Sequence, residues 1–201
     1  MLETERLFIR PFQPADCDTL FALVYADPDV RRRWSGWKGG IDEFRERFRT
    51  DKLYTGVDAN GFQYLALVRK EDNCLLGLMG FQNHANDDMD WLLMPDGSRN
   101  VGHIPGVLDV ELTYAIGKEY WSHGYGTEGG LAMIEYGFSR MAVDRIINAI
   151  SPDNDRSRNL MLRLGFTFVD NGNPEDAIGV LENLDRNEQI TSALTSPSSE
   201  G

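Results

Sequence analysis

The chain has 201 residues, of which 41% are hydrophobic, enough to form the core of one domain. Twenty Lys and Arg against 32 Asp and Glu give a formal net charge of −12, a surface that repels nucleic acid, so we expect no nucleic-acid partner. Two explanations of the acidity stay open: it would suit a cationic amine or a basic peptide as partner, or it serves solubility alone.

The composition also bears on compartment and cofactor class. The two cysteines, Cys17 and Cys74, have neither the spacing of a metal site nor that of a disulfide framework, which predicts no metal and a reducing compartment. The first residues lack an apolar signal segment, and no run of roughly 18 apolar residues occurs. We therefore expect a cytoplasmic protein without membrane contact.

The first half of the chain predicts alternating helices and strands. Residues 6–12 alternate like a strand, and a helix follows from Pro14 to about Asp27. An irregular patch at 31–37 precedes an amphipathic helix at 42–49. The apolar runs 62–69 and 75–81, separated by a polar tetrad, predict an antiparallel hairpin.

A glycine-rich loop in the second half is the strongest local signal. It runs from Glu119 to Gly130, between a predicted strand at 108–116 and a predicted helix through Met141. Gly124 and Gly126 let the backbone approach a ligand, and the free N–H groups of the helix start favour an anion, most plainly a phosphate. A plain turn or helix cap is the alternative.

Two other phosphate loops do not fit this stretch. A P-loop requires Lys followed by Ser or Thr directly after its last glycine, whereas Thr127 and Glu128 follow here. The dinucleotide fingerprint requires an acidic residue about twenty positions later, where Ala149 and Ile150 stand.

Downstream of the loop, the sequence pattern predicts a strand at 145–150, a short helix at 154–163 closed by Gly165, and a strand at 166–169.

Together with Asn154 to Ser157 and Leu164 to Phe166, the loop resembles the acetyl-CoA-binding core of the GNAT superfamily of N-acetyltransferases. The family pattern Gln/Arg-x-x-Gly-x-Gly/Ala falls on residues 121–126, with Trp121 in the Gln/Arg place. That departure is usual in the branch that acetylates N-termini of ribosomal proteins, whose pattern Tyr-Trp-Gly-x-Gly-Tyr-Ala/Gly-Thr-Glu is close to residues 120–128. The opening residues 2–7, with Arg10 and Pro11, also look like the first strand of that branch. The resemblance covers about residues 1–170.

The resemblance implies an α+β (α/β) GNAT fold, with a central mixed twisted sheet of about six to seven strands flanked by about four helices. The fourth and fifth predicted strands, 108–116 and 145–150, would splay apart and receive the pantothenyl arm of acetyl-CoA. The domain would span 1–170, with an acidic insertion near 82–107 that either borders the acceptor entrance or is a solvated loop. Residues 171–201 contain one weak apolar run, at 177–184, and are predicted to form an atypical, partly disordered tail.

The activity implied is transfer of the acetyl group of acetyl-CoA directly to a primary amine, on a protein N-terminus or a small molecule. A non-catalytic acyl-CoA-binding module is the alternative, and a homodimer is left open. The residues that the resemblance assigns to acetyl-CoA are Leu112, Thr113, Tyr114, Trp121, Ser122, His123, Gly124, Tyr125, Gly126, Thr127, Glu128, Asn154, Arg156, Ser157 and Arg158.

The resemblance also implies the catalytic groups. Glu111 would be the base for the amine, and Ser157 the proton donor to the CoA thiolate, with the oxyanion met by a backbone N–H near Leu112 or Thr113. The alternatives are an exposed strand carboxylate or a partner of an N-terminal arginine for Glu111, and an ordinary first-turn polar residue for Ser157. Trp34 and Trp37 would line the acceptor site together with Glu111, or else anchor a loop.

Overall fold

A computed structural model of the chain describes residues 1–34, 37–56, 63–83, 92–93, 99–100, 109–169 and 177–183. The strands are β1 (Leu2–Glu3), β2 (Leu7–Arg10), β3 (Gln63–Arg69), β4 (Leu75–Asn83), β5 (Leu92–Leu93), β6 (Arg99–Asn100), β7 (Asp109–Ile116), β8 (Arg145–Ile150), β9 (Thr167–Val169) and β10 (Ala177–Glu182). The α-helices are α1 (Asp16–Leu20), α2 (Pro28–Trp34), α3 (Ile41–Thr50), α4 (Lys52–Thr55), α5 (Tyr125–Tyr136) and α6 (Asp155–Arg163). Short π-helical segments extend α1 through Ala26 and α5 through Met141.

A mixed sheet with the strand order β1-β2-β3-β4-β7-β8-β10-β9 organises the described residues. Its neighbouring strands are antiparallel except for β7 and β8, which run parallel, and β5 and β6 pair with each other in a separate two-stranded sheet. The sheet has more strands than the sequence pattern predicted, because Leu2 and Glu3 pair with β2 and the weak apolar run near 177 forms β10. This arrangement is the α+β class that the sequence predicted.

Strand β10 lies beyond residue 170, where the sequence analysis ended the domain. It pairs along its whole length with β8, from Ala177 opposite Ile150 to Glu182 opposite Arg145, and its other edge pairs with β9. Ile178 is buried in the sheet. The remainder of the predicted tail, residues 171–176 and 184–201, lies outside the described residues. So do residues 84–91, 94–98 and 101–108 of the predicted insertion.

The predicted irregular patch at 31–37 is wrong for residues 31–34, which lie in helix α2. The carboxylate of Asp27 accepts hydrogen bonds from the backbone N–H groups of Asp29 and Val30, at 2.8 and 3.2 Å, which caps the helix. Pro28 occupies the first helical position, where its missing N–H costs nothing. The pair Asp27-Pro28 therefore ends one helix and starts the next.

The two faces of the sheet carry separate cores, as strand alternation requires. Helices α5 and α6 cover one face, where Met133 and Met161 pack on Leu7 and Leu112. Helices α1 to α4 cover the other face, where Phe44 and Leu20 pack on Leu78. None of the helices in the described ranges has the length and apolar character needed to cross a membrane.

We expect Phe44→Ala to lower the free energy of unfolding by about 3–5 kcal/mol, because the ring is fully buried and its loss leaves a cavity. The ring centroid of Phe44 lies 4.4 Å from that of Tyr25 and 5.9 Å from that of Phe48. Chemical denaturation measures the loss. Leu162→Ala is the control, since Leu162 is 53% exposed and should cost no more than about 0.5 kcal/mol. Equal losses in the two variants would contradict the packing.

Candidate active site

A cavity of about 510 Å³ lies where β7 and β8 meet α2, α3 and the first turns of α5 and α6. Most of the residues that the sequence analysis assigned to the site line it: Glu111, Thr113, Tyr114, Trp121, Ser122, Gly124, Tyr125, Gly126, Thr127, Asn154, Arg156 and Ser157. The lining does not include Leu112, His123, Glu128, Arg158 or Trp37. The side chain of Trp34 lies outside the described part of the chain.

Strands β7 and β8 pair over only part of their length. The parallel register joins Asp109 to Arg145 and continues to Glu111 opposite Ile147, and the described residues beyond this point make no further β7–β8 pairs. Residues 112–116 continue to pair with β4, and residues 148–150 with β10. The side chain of Asn148 spans the unpaired stretch and donates to the carbonyl of Leu112 at 2.6 Å.

Two buried polar atoms beside this stretch have no hydrogen-bond partner among the residues that the structure describes. They are Thr113 Oγ1 and Asn148 Oδ1, in residues that are each 5% exposed. A buried acceptor or hydroxyl without a partner costs about 1–3 kcal/mol, and such atoms are rare unless a ligand or water satisfies them. Both residues line the cavity.

The glycine-rich loop presents backbone donors at the start of α5. Gly124 has φ 83°, a left-handed conformation that glycine adopts without strain, and Ser122 has φ 65°. The first intrahelical hydrogen bond runs from the N–H of Glu128 to the carbonyl of Gly124, at 3.0 Å. The N–H groups of residues 125–127 precede this bond and have no acceptor within the helix, so they can donate to an anion at the positive end of the dipole.

Gly126 has a packing role that the sequence analysis did not foresee. A Cβ added there would meet the Leu160 side chain of α6 at 3.0 Å and that of Ile116 at 3.5 Å. The glycine therefore lets α5 lie close to α6 at the cavity wall, in addition to exposing its amide.

The side chain of Glu128, which the resemblance assigned to the cofactor, contacts the N-terminal segment of the chain. Its amide is used within α5, and its carboxylate accepts from the hydroxyl of Thr4 and from the backbone N–H and Nε of Arg6, the last two at 2.7 and 2.6 Å. Burial alone would raise the pKa of Glu128, but these hydrogen bonds outweigh it and lower the pKa. Glu128 therefore ties α5 to β2 and remains charged.

Positive charge at this end of the cavity comes from a different set of arginines than predicted. The guanidinium of Arg158 lies 4.3 Å from the ring centroid of Phe168, outside the cavity lining. Arg156 lines the cavity with its guanidinium 4.5 Å over the Trp121 ring, whose Nε1 donates to Ile116 O at 2.7 Å. Arg163, which the sequence analysis did not single out, also lines it, because the helical spacing places it near Thr127 of the loop.

His123 and Trp37 serve neighbouring structure rather than the cavity. The imidazole Nδ1 of His123 lies 2.8 Å from the carbonyl of Trp121, and its ring stacks on Tyr125 with centroids 5.9 Å apart. The indole Nε1 of Trp37 donates to Gly39 O at 2.8 Å, and the ring meets Phe44 edge-on. Trp37 therefore fits the loop-anchor interpretation.

Glu111 lies on the α1–α4 face of the sheet, half-buried at the point where β7 and β8 separate. Burial raises the pKa of its carboxyl group, against hydrogen bonds from Gln82 and from the backbone N–H of Ala149. The Nε2 of Gln82 donates to Glu111 at 2.6 Å, and Tyr64 OH donates to the amide oxygen of Gln82 at 2.7 Å. Glu111 is therefore neither an exposed strand carboxylate nor the partner of an N-terminal arginine, the two other interpretations of this residue.

Ser157 is buried at the start of α6 on the other side of the cavity. Its backbone N–H donates to the side chain of Asn154 at 3.3 Å, which makes Asn154 the helix N-cap. Its hydroxyl is hydrogen-bonded to the hydroxyl of Tyr114. Burial raises the pKa of Tyr114 to about 12, so this phenol stays protonated at neutral pH. The sequence analysis placed Tyr114 in the cofactor site but did not foresee the contact with Ser157.

Residues 6–167 match the family profile described as the acetyltransferase (GNAT) domain, which covers most of the chain. The chain belongs to the GNAT family of acetyltransferases. It is therefore an acyltransferase, and GNAT enzymes use acetyl-CoA as cosubstrate. The resemblance to the GNAT superfamily is thus confirmed.

Relatives of this GNAT enzyme match along most of their length. The uncharacterized N-acetyltransferase YoaA of Bacillus subtilis (strain 168) is 25% identical over 185 residues, covering 88% of this chain and 92% of that protein. The ribosomal-protein-S5-alanine acetyltransferase of Vibrio fischeri superposes with a TM-score of 0.65 at 18% identity, covering 92% and 97% of the two chains. A mutant of the spermidine N-acetyltransferase of Vibrio cholerae superposes with a TM-score of 0.62 at 14% sequence identity, covering 93% of this chain and 99% of that chain. At these identities the two structures show a shared fold.

Proposed function

We propose that this GNAT enzyme transfers the acetyl group of acetyl-CoA directly to a primary amine. In this proposal Glu111 accepts the proton of the amine and Ser157 hydrogen-bonds the departing thiolate. The observation that carries the proposal is the single cavity that joins the free amides of α5, the unpaired stretch of β7 and β8, Glu111 and Ser157.

The residues present fit acetyl-CoA. The amides of 125–127 with Arg156 and Arg163 would hold its phosphates, as helix starts and arginines commonly do. The partnerless atoms Thr113 Oγ1 and Asn148 Oδ1 would meet amide groups of its arm. When bound, acetyl-CoA supplies an acetyl thioester, whose carbonyl oxygen we assign to a backbone N–H near Leu112 or Thr113.

Glu111 suits the role of base because its environment moves its pKa toward that of its substrate. A protonated α-amine has a pKa of about 8, against about 10.4 for lysine, so an α-amine gives up its proton to a carboxylate more readily. Raising the pKa of Glu111 by burial narrows the remaining difference. The likeness of the loop to the branch that acetylates ribosomal-protein N-termini also supports an α-amine acceptor.

Ser157 suits the thiolate because its oxygen is already oriented. The hydroxyls of Tyr114 and Ser157 are hydrogen-bonded, and Tyr114 is protonated at neutral pH. In this proposal Tyr114 is the donor of that bond, which leaves the Ser157 hydroxyl proton for the sulfur. In the overall transfer the C–S bond breaks, the C–N bond forms, Glu111 holds the amine proton, and a thiolate leaves that has a pKa of about 8.5 as a free thiol. Neither cysteine lines the cavity, so the described site offers no cysteine for a covalent intermediate.

Release of free CoA thiol with a panel of primary amines tests the proposal. The wild type is expected to release thiol only when an amine is present, and far more slowly after Glu111→Gln or Ser157→Ala. A non-catalytic acyl-CoA-binding module would bind acetyl-CoA with micromolar affinity and release no thiol with any amine, which would overturn the proposal.

We expect Gly126→Val to weaken acetyl-CoA binding about tenfold or more, because its branched side chain would enter the wall between α5 and α6 at Leu160. Isothermal titration with acetyl-CoA measures the change. Gly130→Ala is the matched control, because its Cβ would crowd Leu164 at 2.7 Å one helical turn later, away from the cavity lining. Unchanged affinity in Gly126→Val, or equal losses in both variants, would contradict the assignment of this wall to acetyl-CoA.

A further inference from the structure

The cavity is locally positive although the chain as a whole is acidic. Among the residues that the structure describes, the charged ones that line it are four arginines and two carboxylates: Asp29, Arg33, Arg47, Glu111, Arg156 and Arg163. Asp29 is neutralised by Lys118, whose Nζ lies 2.6 Å from its carboxylate. The net charge of −12 therefore does not describe the surroundings of an acceptor.

On the α1–α4 face, where Glu111 lies, the cavity wall includes Arg33 and Arg47. Arg33 donates to the carbonyl of Asp153 at 3.2 Å and lies 3.5 Å from its carboxylate, so its charge is partly matched. Arg47 lies on α3 with its side chain 37% exposed, and its Nε is 3.2 Å from the carboxylate of Asp51. Both arginines therefore have a carboxylate partner, but Arg33 donates through an Nη group whereas Arg47 donates through Nε.

The contacts of Arg47 fix its position and leave donors free. Its guanidinium packs over the Trp37 ring at 5.3 Å, and Asp51 engages Nε. Within the described part of the chain, neither Nη group of Arg47 donates to a protein acceptor. A guanidinium carries five N–H donors in a planar fork, so an edge suited to a carboxylate remains available.

A tyrosine hydroxyl is linked to the proposed base through Gln82. Tyr64 lines the cavity and donates to Gln82, which in turn donates to Glu111. Burial raises the pKa of Tyr64, so its hydroxyl stays neutral and adds no negative charge beside Arg47. On this face of the sheet the cavity wall therefore carries the carboxylate of Glu111 and, on α3, the guanidinium of Arg47.

We infer that the acceptor is a small amine that also carries a carboxylate, with its amine directed to Glu111 and its carboxylate bound by Arg47. The inference rests on the proposed acetyl transfer and adds the chemical class of the acceptor. A diamine or polyamine would bring a second cation toward Arg33 and Arg47. The structure thereby favours an amino-acid-like acceptor over the cationic one that the overall acidity suggested.

Matched pairs of acceptors test this inference: an α-amino acid and its carboxamide, such as phenylalanine and phenylalaninamide or alanine and alaninamide, with cadaverine as the cationic arm. Thiol release gives kcat/KM, referred to the concentration of unprotonated amine. We expect the amino acid to exceed its amide by about 10- to 100-fold, the range of a hydrogen bond between charged groups. Arg47→Met should reduce the ratio of the amino-acid value to the amide value to about 1.

Arg45→Met is the control variant, since Arg45 lies on the same helix but pairs with Asp18 and Asp42 outside the cavity lining. It should keep the preference of the wild type, and Arg47→Lys should keep part of it. Amides or cadaverine acetylated as well as amino acids would overturn the inference and leave acetyl transfer standing. An absence of thiol release with every amine, despite acetyl-CoA binding, would overturn both.

Discussion

Replacing Glu111 by Gln is expected to lower kcat by about 10²- to 10⁴-fold, the usual contribution of a positioned general base. Glutamine keeps the size of the side chain and an oxygen for the hydrogen bond from Gln82, so the fold and acetyl-CoA affinity should be unchanged. Steady-state thiol release at saturating acetyl-CoA measures the loss. A kcat within about threefold of the wild type would remove Glu111 from the chemistry.

The pH dependence of kcat/KM is a second test of Glu111. Because burial raises the pKa of Glu111, the acidic limb of the wild-type kcat/KM profile should lie above the ordinary glutamate range near 4.3. Activity should fall as the pH drops through this raised pKa, since the protonated carboxyl cannot accept a proton. Gln82→Ala removes a hydrogen bond that lowers the pKa, so its acidic limb should move to higher pH. If the acidic limb of the kcat/KM profile is unchanged in Glu111→Gln, a group other than Glu111 is responsible for it.

Ser157→Ala is expected to lower kcat by about 10²-fold with little change in acetyl-CoA affinity, because the thiolate loses its hydrogen-bond donor. Arg158→Ala is the matched control on the same helix, since Arg158 contacts Phe168 and does not line the cavity. Single-turnover measurements separate the acetyl-transfer step from product release.

Substitution of Tyr114 tests whether the serine or the phenol hydrogen-bonds the CoA sulfur. If Tyr114 orients Ser157, Tyr114→Phe should cost less than Ser157→Ala, about tenfold, and the double variant should cost no more than Ser157→Ala alone. If Ser157→Ala remains active while Tyr114→Phe does not, the phenol rather than the serine faces the sulfur.

Features that depend on local pattern were predictable from the sequence. The periodic apolar residues of α3, α5 and α6 predicted these helices, and the run 108–116 matches β7 closely. The loop before α5 was predictable because glycine and helix-start chemistry act over neighbouring residues. The strand β10 was only a weak signal, since four of its six residues are partly exposed.

Features that depend on contacts between distant segments were not predictable. Glu128 was assigned to the cofactor because of its place in the motif, whereas Arg6, far away in the chain, binds its carboxylate. The contact between Tyr114 and Ser157 joins a strand to a helix, and no local pattern records it. Arg47 looked like one of several surface charges of an amphipathic helix until the fold placed it in the cavity wall.

A structure determined with bound CoA tests the central claim most directly. The account predicts that the diphosphate contacts the amides of residues 125–127, that the arm lies between residues 112–116 of β7 and 148–150 of β8, and that the sulfur lies within hydrogen-bonding distance of Ser157 Oγ. Binding of CoA elsewhere, or β7 and β8 paired along their whole length beneath it, would contradict the account.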